Sequence, residues 1–400
     1  MQKKLLGMAV AAVLAAPTAA LAQSAVTISG TFKVGIDQYK ISNPCTGGTF
    51  ASGGCSFMGA GGRTGLKDSE IRVTDNSSQI HFNVTEDLGG GMAAIAKLDL
   101  RFAPDEGGTA NNATGNTWVG IRGAGFGTLT FGRHDLHYGK QPDDVPVKGA
   151  LMASSVSIVD YAVAGAIPIA NTTRTPNVIR WDSPNWGGFN ITAAYSTSPF
   201  GNEADLGAGG QGGSAWNVNP VFTAPNFQIG FSAFDAKADT PYLGIISEMD
   251  SQVVYGFFRF GAFKVGGAYH MAKVDAAAGV GGGTLSKRKA YTVPLSWSAG
   301  PHTVAATFSM ADDDDELGDG TGAQMWSAMY AFDFSKRTSV SFTFSQIKND
   351  EFAAFDFFTN CAGPNTGFTA KTSGAFGSTS SCTNLGEDPT LMALTLRHTF

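Results

Sequence analysis

Charged side chains recur at every second position in several short stretches of this 400-residue chain, as in Lys97-Leu98-Asp99-Leu100-Arg101 and Arg180-Trp181-Asp182. In an extended strand, that spacing puts the charges on one face and the apolar residues between them on the other. By the same parity Lys33, Lys97, Arg101, Arg122, Arg180, Lys264 and Arg397 form a cationic set, joined by Asp37, Asp99 and Asp182. Fixed charges along a wetted wall need no nucleophile and no proton transfer; they sort solutes by size and field. The same charges would also keep such a surface wet and pair locally.

Asp135, Asp143, Asp144 and Asp160 fall in the long segment from His134 to Pro176. Acids on a segment facing a cationic wall would create a transverse field, and acids in loops also cap turns. The densest charge run, Asp312 to Asp315 with Glu316, lacks the alternating ligands of a calcium loop and reads as a solvated acidic loop. His134 and His137 make the only close histidine pair, and neither Gly-x-Ser-x-Gly nor His-Glu-x-x-His occurs. No catalytic, cofactor or metal site is expected. Cys45 with Cys55 and Cys361 with Cys382 lack metal-ligand spacing, and two loop-local disulfides are the simplest connectivity in an exported chain.

Positioning such charges requires strands. Val26, Ile28, Phe32, Val34 and Ile36 alternate with Thr27, Ser29, Thr31, Lys33 and Asp37, and Ile80, Phe82 and Val84 alternate with His81, Asn83 and Thr85. The same test places 16 strands at 25–38, 79–85, 92–102, 116–122, 127–133, 177–183, 189–196, 214–222, 227–234, 251–260, 263–271, 288–297, 302–310, 324–333, 338–347 and 390–400. Parity is ambiguous in 251–260, and Pro220 weakens its strand because it removes a ladder donor. Connections alternate between short turns and long loops rich in Gly, Ser, Thr, Asn and Asp, notably 39–78, 134–176 and 348–389. The expected fold is all-β: a 16-stranded antiparallel transmembrane β-barrel with short periplasmic turns and long extracellular loops.

Lys3 and Lys4, the apolar stretch from Leu5 to Ala16, and Ala20-Leu21-Ala22 read as a signal peptide over 1–22, leaving 23–400 as one barrel domain. Beyond it no apolar run approaches the roughly 18 residues a spanning helix needs. The formal charge of -6 moves to about -8 on cleavage. A mildly acidic chain with scattered charges is a poor nucleic-acid binder.

Four strings then carry a resemblance: Thr85-Glu86-Asp87-Leu88-Gly89-Gly90-Gly91-Met92, Val119 to Arg133, Asn177-Val178-Ile179-Arg180-Trp181-Asp182-Ser183-Pro184-Asn185-Trp186-Gly187-Gly188-Phe189, and the ending Leu396-Arg397-His398-Thr399-Phe400. Their order and spacing resemble the Gram-negative general porins, particularly the betaproteobacterial and neisserial type. The resemblance implies a homotrimer of 16-stranded barrels, a third long loop folded inward, Phe400 as an assembly signal, and passive passage of ions and small hydrophilic solutes through the outer membrane. Outer-membrane lipid and lipopolysaccharide would be its surroundings. The sequence departs from the family where Thr117 and Trp118 replace a common lumen-facing Arg, and His134-Asp135-Leu136-His137 is not a familiar start to the inward loop. With the cationic wall partly offset by loop acids, a weak anion preference is expected. An adhesive barrel whose loops bind a host surface or lipopolysaccharide is the alternative reading.

Overall fold

A computed structural model describes residues 25–43, 69–105, 115–165, 167–169, 174–200, 212–242, 244–357 and 385–400. The segment 1–22 and the four cysteines, Cys45, Cys55, Cys361 and Cys382, lie outside the described residues.

The described chain runs through β1 (Ala25–Ser42), β2 (Ser69–Asp75), β3 (Gln79–Gly89), β4 (Met92–Arg101), β5 (Thr117–Gly123) and β6 (Gly127–His134). After a long connection, L3, come β9 (Thr175–Asp182), β10 (Phe189–Ser196), β11 (Gly213–Thr223), β12 (Phe227–Tyr242), β13 (Ile246–Phe260) and β14 (Phe263–Ala276). The wall finishes with β15 (Thr284–Ala299), β16 (His302–Ala311), β17 (Ala323–Asp333), β18 (Thr338–Asn349) and β19 (Asp388–Thr399). L3 holds α1 (Val145–Lys148), a 3-10 turn (Leu151–Ala153), α2 (Val156–Val159) and a small hairpin of β7 (Tyr161–Ala162) and β8 (Ile167–Pro168).

Consecutive wall strands pair antiparallel, and β1 closes the ring on β19 with Thr31 opposite Thr399 and Ser42 opposite Asp388. Closure satisfies every ladder and leaves no edge in lipid. At the seam, Gly30 and Phe400 exchange two backbone hydrogen bonds of 3.1 Å, and the Phe400 ring lies 5.9 Å from that of Phe32.

The sheet contains 17 strands yet 16 wall positions, because β2 and β3 lie end to end against β1. Residues 69–75 were expected to be loop; Ile71 and Val73 alternate with Glu70, Arg72 and Thr74 and extend the wall outward. The break at Asn76–Ser78 is held by side chains: Asp75 accepts from Ser77 N and Ser78 N, and Lys33 N donates to Ser78 Oγ. All 16 expected strands are present, most of them longer at the end that carries the long loops. Pro220 stays inside β11, where the register to β12 is interrupted, and Asn219 Nδ2 donates to the Phe231 carbonyl in place of a backbone amide. In β13, Val254 faces outward whereas Val253 and Tyr255 face inward, so apolar residues occupy both faces and blur the alternation.

Val26, Ile28, Ile36, Val119, Leu394 and Leu396 are exposed on the outer face. So continuous an apolar surface suits lipid. The buried apolar residues form two main clusters where L3 meets the inner wall. One packs Val145, Met152 and Ile158 with Met325, Met329 and Ala393; the other packs Leu136 and Val163 with Phe234, Met249 and Val274. A close approach makes the first possible: a Cβ on Gly149 would lie 2.5 Å from Thr343 Oγ1 and 2.8 Å from Met329 Cγ.

Candidate pore constriction

L3 leaves the wall at His134, crosses to the strands opposite, and returns at Thr175. Its acids are engaged in docking it. Asp143 is half-buried with both carboxylate oxygens engaged: its Oδ1 accepts from Val145 N at 3.1 Å and Thr307 Oγ1 at 2.9 Å, and its Oδ2 accepts from Ser155 N at 2.7 Å. Burial pushes its carboxyl above the usual range, against the hydrogen bonds that favour the charged form. Asp144 pairs with Lys264 at 2.7 Å and accepts from Ser296 Oγ. Asp160 is buried beneath Gly139 N and Gln141 Nε2, and burial raises its pKa to about 6. Asp135 exchanges two 2.7 Å hydrogen bonds with Asn116 and lies 3.3 Å from Arg174 Nε. Lys148 completes the mooring through Asp333 on β17.

The wall charges expected by parity on β1, β4 and β9 do face inward. Lys33 Nζ donates to the Pro146 carbonyl of L3, and its register partner is Arg397. Asp37 accepts from Arg72 Nε at 2.8 Å and Thr74 Oγ1 at 2.6 Å. Asp99 takes a forked pair from Arg101 at 2.8 and 3.1 Å, and Asp182 takes one from Arg180 at 2.8 Å on both arms. A forked pair fixes geometry and cancels charge locally. Lys97, between those pairs, has no hydrogen-bond or ion-pair partner among the described residues. Arg122 is exposed beside the Gly123–Phe126 turn, at the opposite end of β5 from L3, and Arg397 is half-buried.

Several residues that sequence parity did not single out belong to this neighbourhood. Arg72 sits on β2, in a stretch read as loop, and Arg174 lies just before β9. Lys140, on L3, interacts electrostatically with Arg180, Asp135 and Asp182 without a direct partner among the described residues; burial lowers its pKa to about 8. Trp118, at the departure from the family's common Arg, occupies the inward parity of β5, and its ring stacks 5.9 Å from His134. Arg133 follows Gly132 at a register shift, and its Nε and Nη2 are buried without a hydrogen bond among the described residues. The acidic run lies away from these groups: Asp314 accepts from Ser286 Oγ and Lys287 N, and Asp313 from Thr321 N and Gly322 N, so these acids structure the β16–β17 hairpin.

A closed wall, a lumen lined by charges and a loop folded against the inner wall can conduct water and small solutes. Comparison with known proteins agrees. The family model described as Gram-negative porin matches residues 9–351. An outer membrane porin protein of Bordetella pertussis is 24% identical over 383 residues, covering 88% of this chain and 96% of its own. Major outer membrane protein P.IA of Neisseria meningitidis is 30% identical over 198 residues, 49% of this chain and 47% of that one. The solved anion-selective porin from Comamonas acidovorans superposes with a TM-score of 0.68 at 20% identity, covering 94% of this chain and all of that one. With a lipid-facing barrel, a loop-narrowed lumen and a family match over most of its length, the chain belongs to the Gram-negative porins and forms a general diffusion channel of the outer membrane.

Proposed function

We propose that this diffusion channel prefers anions weakly and catalyses no reaction. The observation that carries the reading is an imbalance in the lumen. Asp99, Asp135 and Asp182 are matched by Arg101, Arg174 and Arg180, and the other L3 acids are engaged in docking, whereas Lys97 and Lys140 have no direct partner among the described residues. The name of the Comamonas acidovorans protein points the same way. Reversal potential in a salt gradient across a planar bilayer tests it. Anion preference should appear at low salt and fade as salt rises past the regime in which the Debye length is about 10 Å. Zero or cation-directed potential at low salt would refute the reading.

The family resemblance extends the proposal to a homotrimer, exported after loss of 1–22. It also makes Phe400 an assembly signal, to which the seam adds a physical role, since deleting Phe400 removes two backbone hydrogen bonds to Gly30 and a ring packed on Phe32. The deletion variant should give less folded, heat-modifiable barrel in outer-membrane fractions. Unchanged abundance would deny Phe400 that role.

A further inference from the structure

His137, near the start of L3, and His270, on the inner face of β14, are separated by 133 residues, yet their Nε2 atoms lie 3.2 Å apart. Both side chains are fully buried. Ser251 Oγ on β13 lies between them, 2.8 Å from His137 Nε2 and within hydrogen-bond distance of His270 Nε2. His137 Nδ1 is 2.9 Å from Ser232 Oγ, which accepts from Asn217 Nδ2 at 2.9 Å. At the other end His270 Nδ1 meets the carbonyl of Val159, the last residue of α2, and Arg288 Nη2 donates to that same oxygen.

One orientation of the hydrogen bonds satisfies the whole chain from end to end. A carbonyl only accepts, so His270 Nδ1 carries a proton and the neutral ring offers a lone pair at Nε2. An amide nitrogen only donates, so the Ser232 hydroxyl is free to donate onward to His137 Nδ1. The chain then runs Asn217 to Ser232 to His137 to Ser251 to His270 to Val159, with each donor meeting an acceptor. Both rings must be neutral for this to hold. A proton added to either ring puts a donor where the network already supplies one, inside a buried site.

We propose that His137 and His270, bridged by Ser251, form an acid-released latch that holds the first limb of L3 and the end of α2 against the wall. Among the described residues, Lys140 beside His137 and Arg288 beside His270 are the cations that interact with the pair, and both oppose its protonation. Asp160, the acid next to Val159, interacts with Arg288 and lies beneath Gly139 and Gln141. Tyr138 and Tyr161 flank this site on L3, and Asp312 and Asp314 also interact with Arg288. Asp235, Asp250 and Lys273 share strands with the network but sit at the opposite parity to Ser232, Ser251 and His270 and so point away from it. His302 and His398 lie elsewhere, near the turn ends of β16 and β19.

Burial lowers the pKa of docked His137 to about 3 from an ordinary 6.5. A depressed imidazole contributes docking stability that is full above pH 6.5 and declines as pH falls toward 3. Between pH 7.5 and 5, His137 alone multiplies the undocked fraction by about 30. Asp160 works in the opposite sense: with a pKa raised to about 6, it favours docking as pH falls, offsetting about tenfold over the same interval. His270 adds to the His137 effect, because its protonation leaves two donors facing Ser251. The moorings at Asp143, Asp144 and Lys148 remain, so release frees a limb of the loop and leaves the barrel closed.

The test uses the purified full-length protein in planar bilayers at pH 7.5 and 5, together with hydrogen exchange of the peptide 134–143 rescaled for its intrinsic pH dependence. In the parent, the frequency of subconductance transitions and the rescaled exchange rate should both rise at pH 5, by about threefold or more. His137→Gln should flatten that response, and Asp160→Asn should enlarge it by removing the offset. If His137→Gln does not fold, exchange on the parent decides. Parent exchange and transitions that are unchanged at pH 5, or a folded His137→Gln that keeps the parent's response, would overturn the latch.

Discussion

Asp143→Ala should raise single-channel conductance on the order of twofold, because the narrowest section of a wetted pore limits its current and this carboxylate moors the loop that forms it. The substitution strands the buried amides of Val145 and Ser155 and the hydroxyl of Thr307, each of which donates to this carboxylate. Each buried donor left without an acceptor costs about 1–3 kcal/mol, so the docked loop loses more than its remaining contacts readily restore. The effect acts through position rather than field. Asp143 is half-buried and both of its carboxylate oxygens are taken up by docking hydrogen bonds, so its removal is expected to act mainly by moving the loop. Asp315→Ala, at an exposed acid of the β16–β17 hairpin, is the matched control and should conduct like the parent. Parent-like conductance in a folded Asp143→Ala barrel would mean that L3 holds its place without this anchor.

Neutralising Lys97 and Lys140 together should move the reversal potential toward cation preference, and by more than neutralising Arg101 or Arg180. Each single arginine variant removes one positive charge rather than two and leaves Asp99 or Asp182 as a bare acid, so its shift should have the same sign and about half the size. A unit charge roughly 8 Å from a passing ion in water is worth about 0.5 kcal/mol, which changes the local concentration of each ion about twofold in opposite directions. The double variant should therefore shift the anion-to-cation ratio by roughly fourfold or more at low salt. Lys140 adds a pH signature. Its charge is lost as pH rises through about 8, so the parent's anion preference should weaken between pH 7 and 9, and Lys140→Ala should remove most of that dependence. An unaltered potential in the double variant would place these lysines away from the ion path.

Local geometry explains why the wall was readable in the amino-acid order. Side chains alternate across a strand with a period of two, so Lys33, Lys97 and Arg180 could be assigned to the lumen, and Ile28 and Val119 to lipid, without knowledge of any neighbour. The strand count followed from the same rule and from alternation of short and long connections. Length alone misled at β2: seven residues beyond a break at Asn76 show too brief an alternation to distinguish from loop, and pairing with β1 is what makes them wall.

The constriction had no such signature. Asp143, Asp144 and Asp160 were legible as acids on an inward loop, but whether they faced water or anchored the loop depended on Thr307, Lys264 and Gln141. Thr307 and Lys264 are more than a hundred residues away in sequence. Lys148 meets Asp333 across 185 residues, and His137 meets His270 across 133, because barrel closure carries distant strands to the place where L3 crosses. Sequence determined which face each strand residue takes, since that is set by the backbone within a few residues; only the tertiary structure decided which charges cancel, which remain free in the lumen and what holds the loop across it, since those depend on closing the ring.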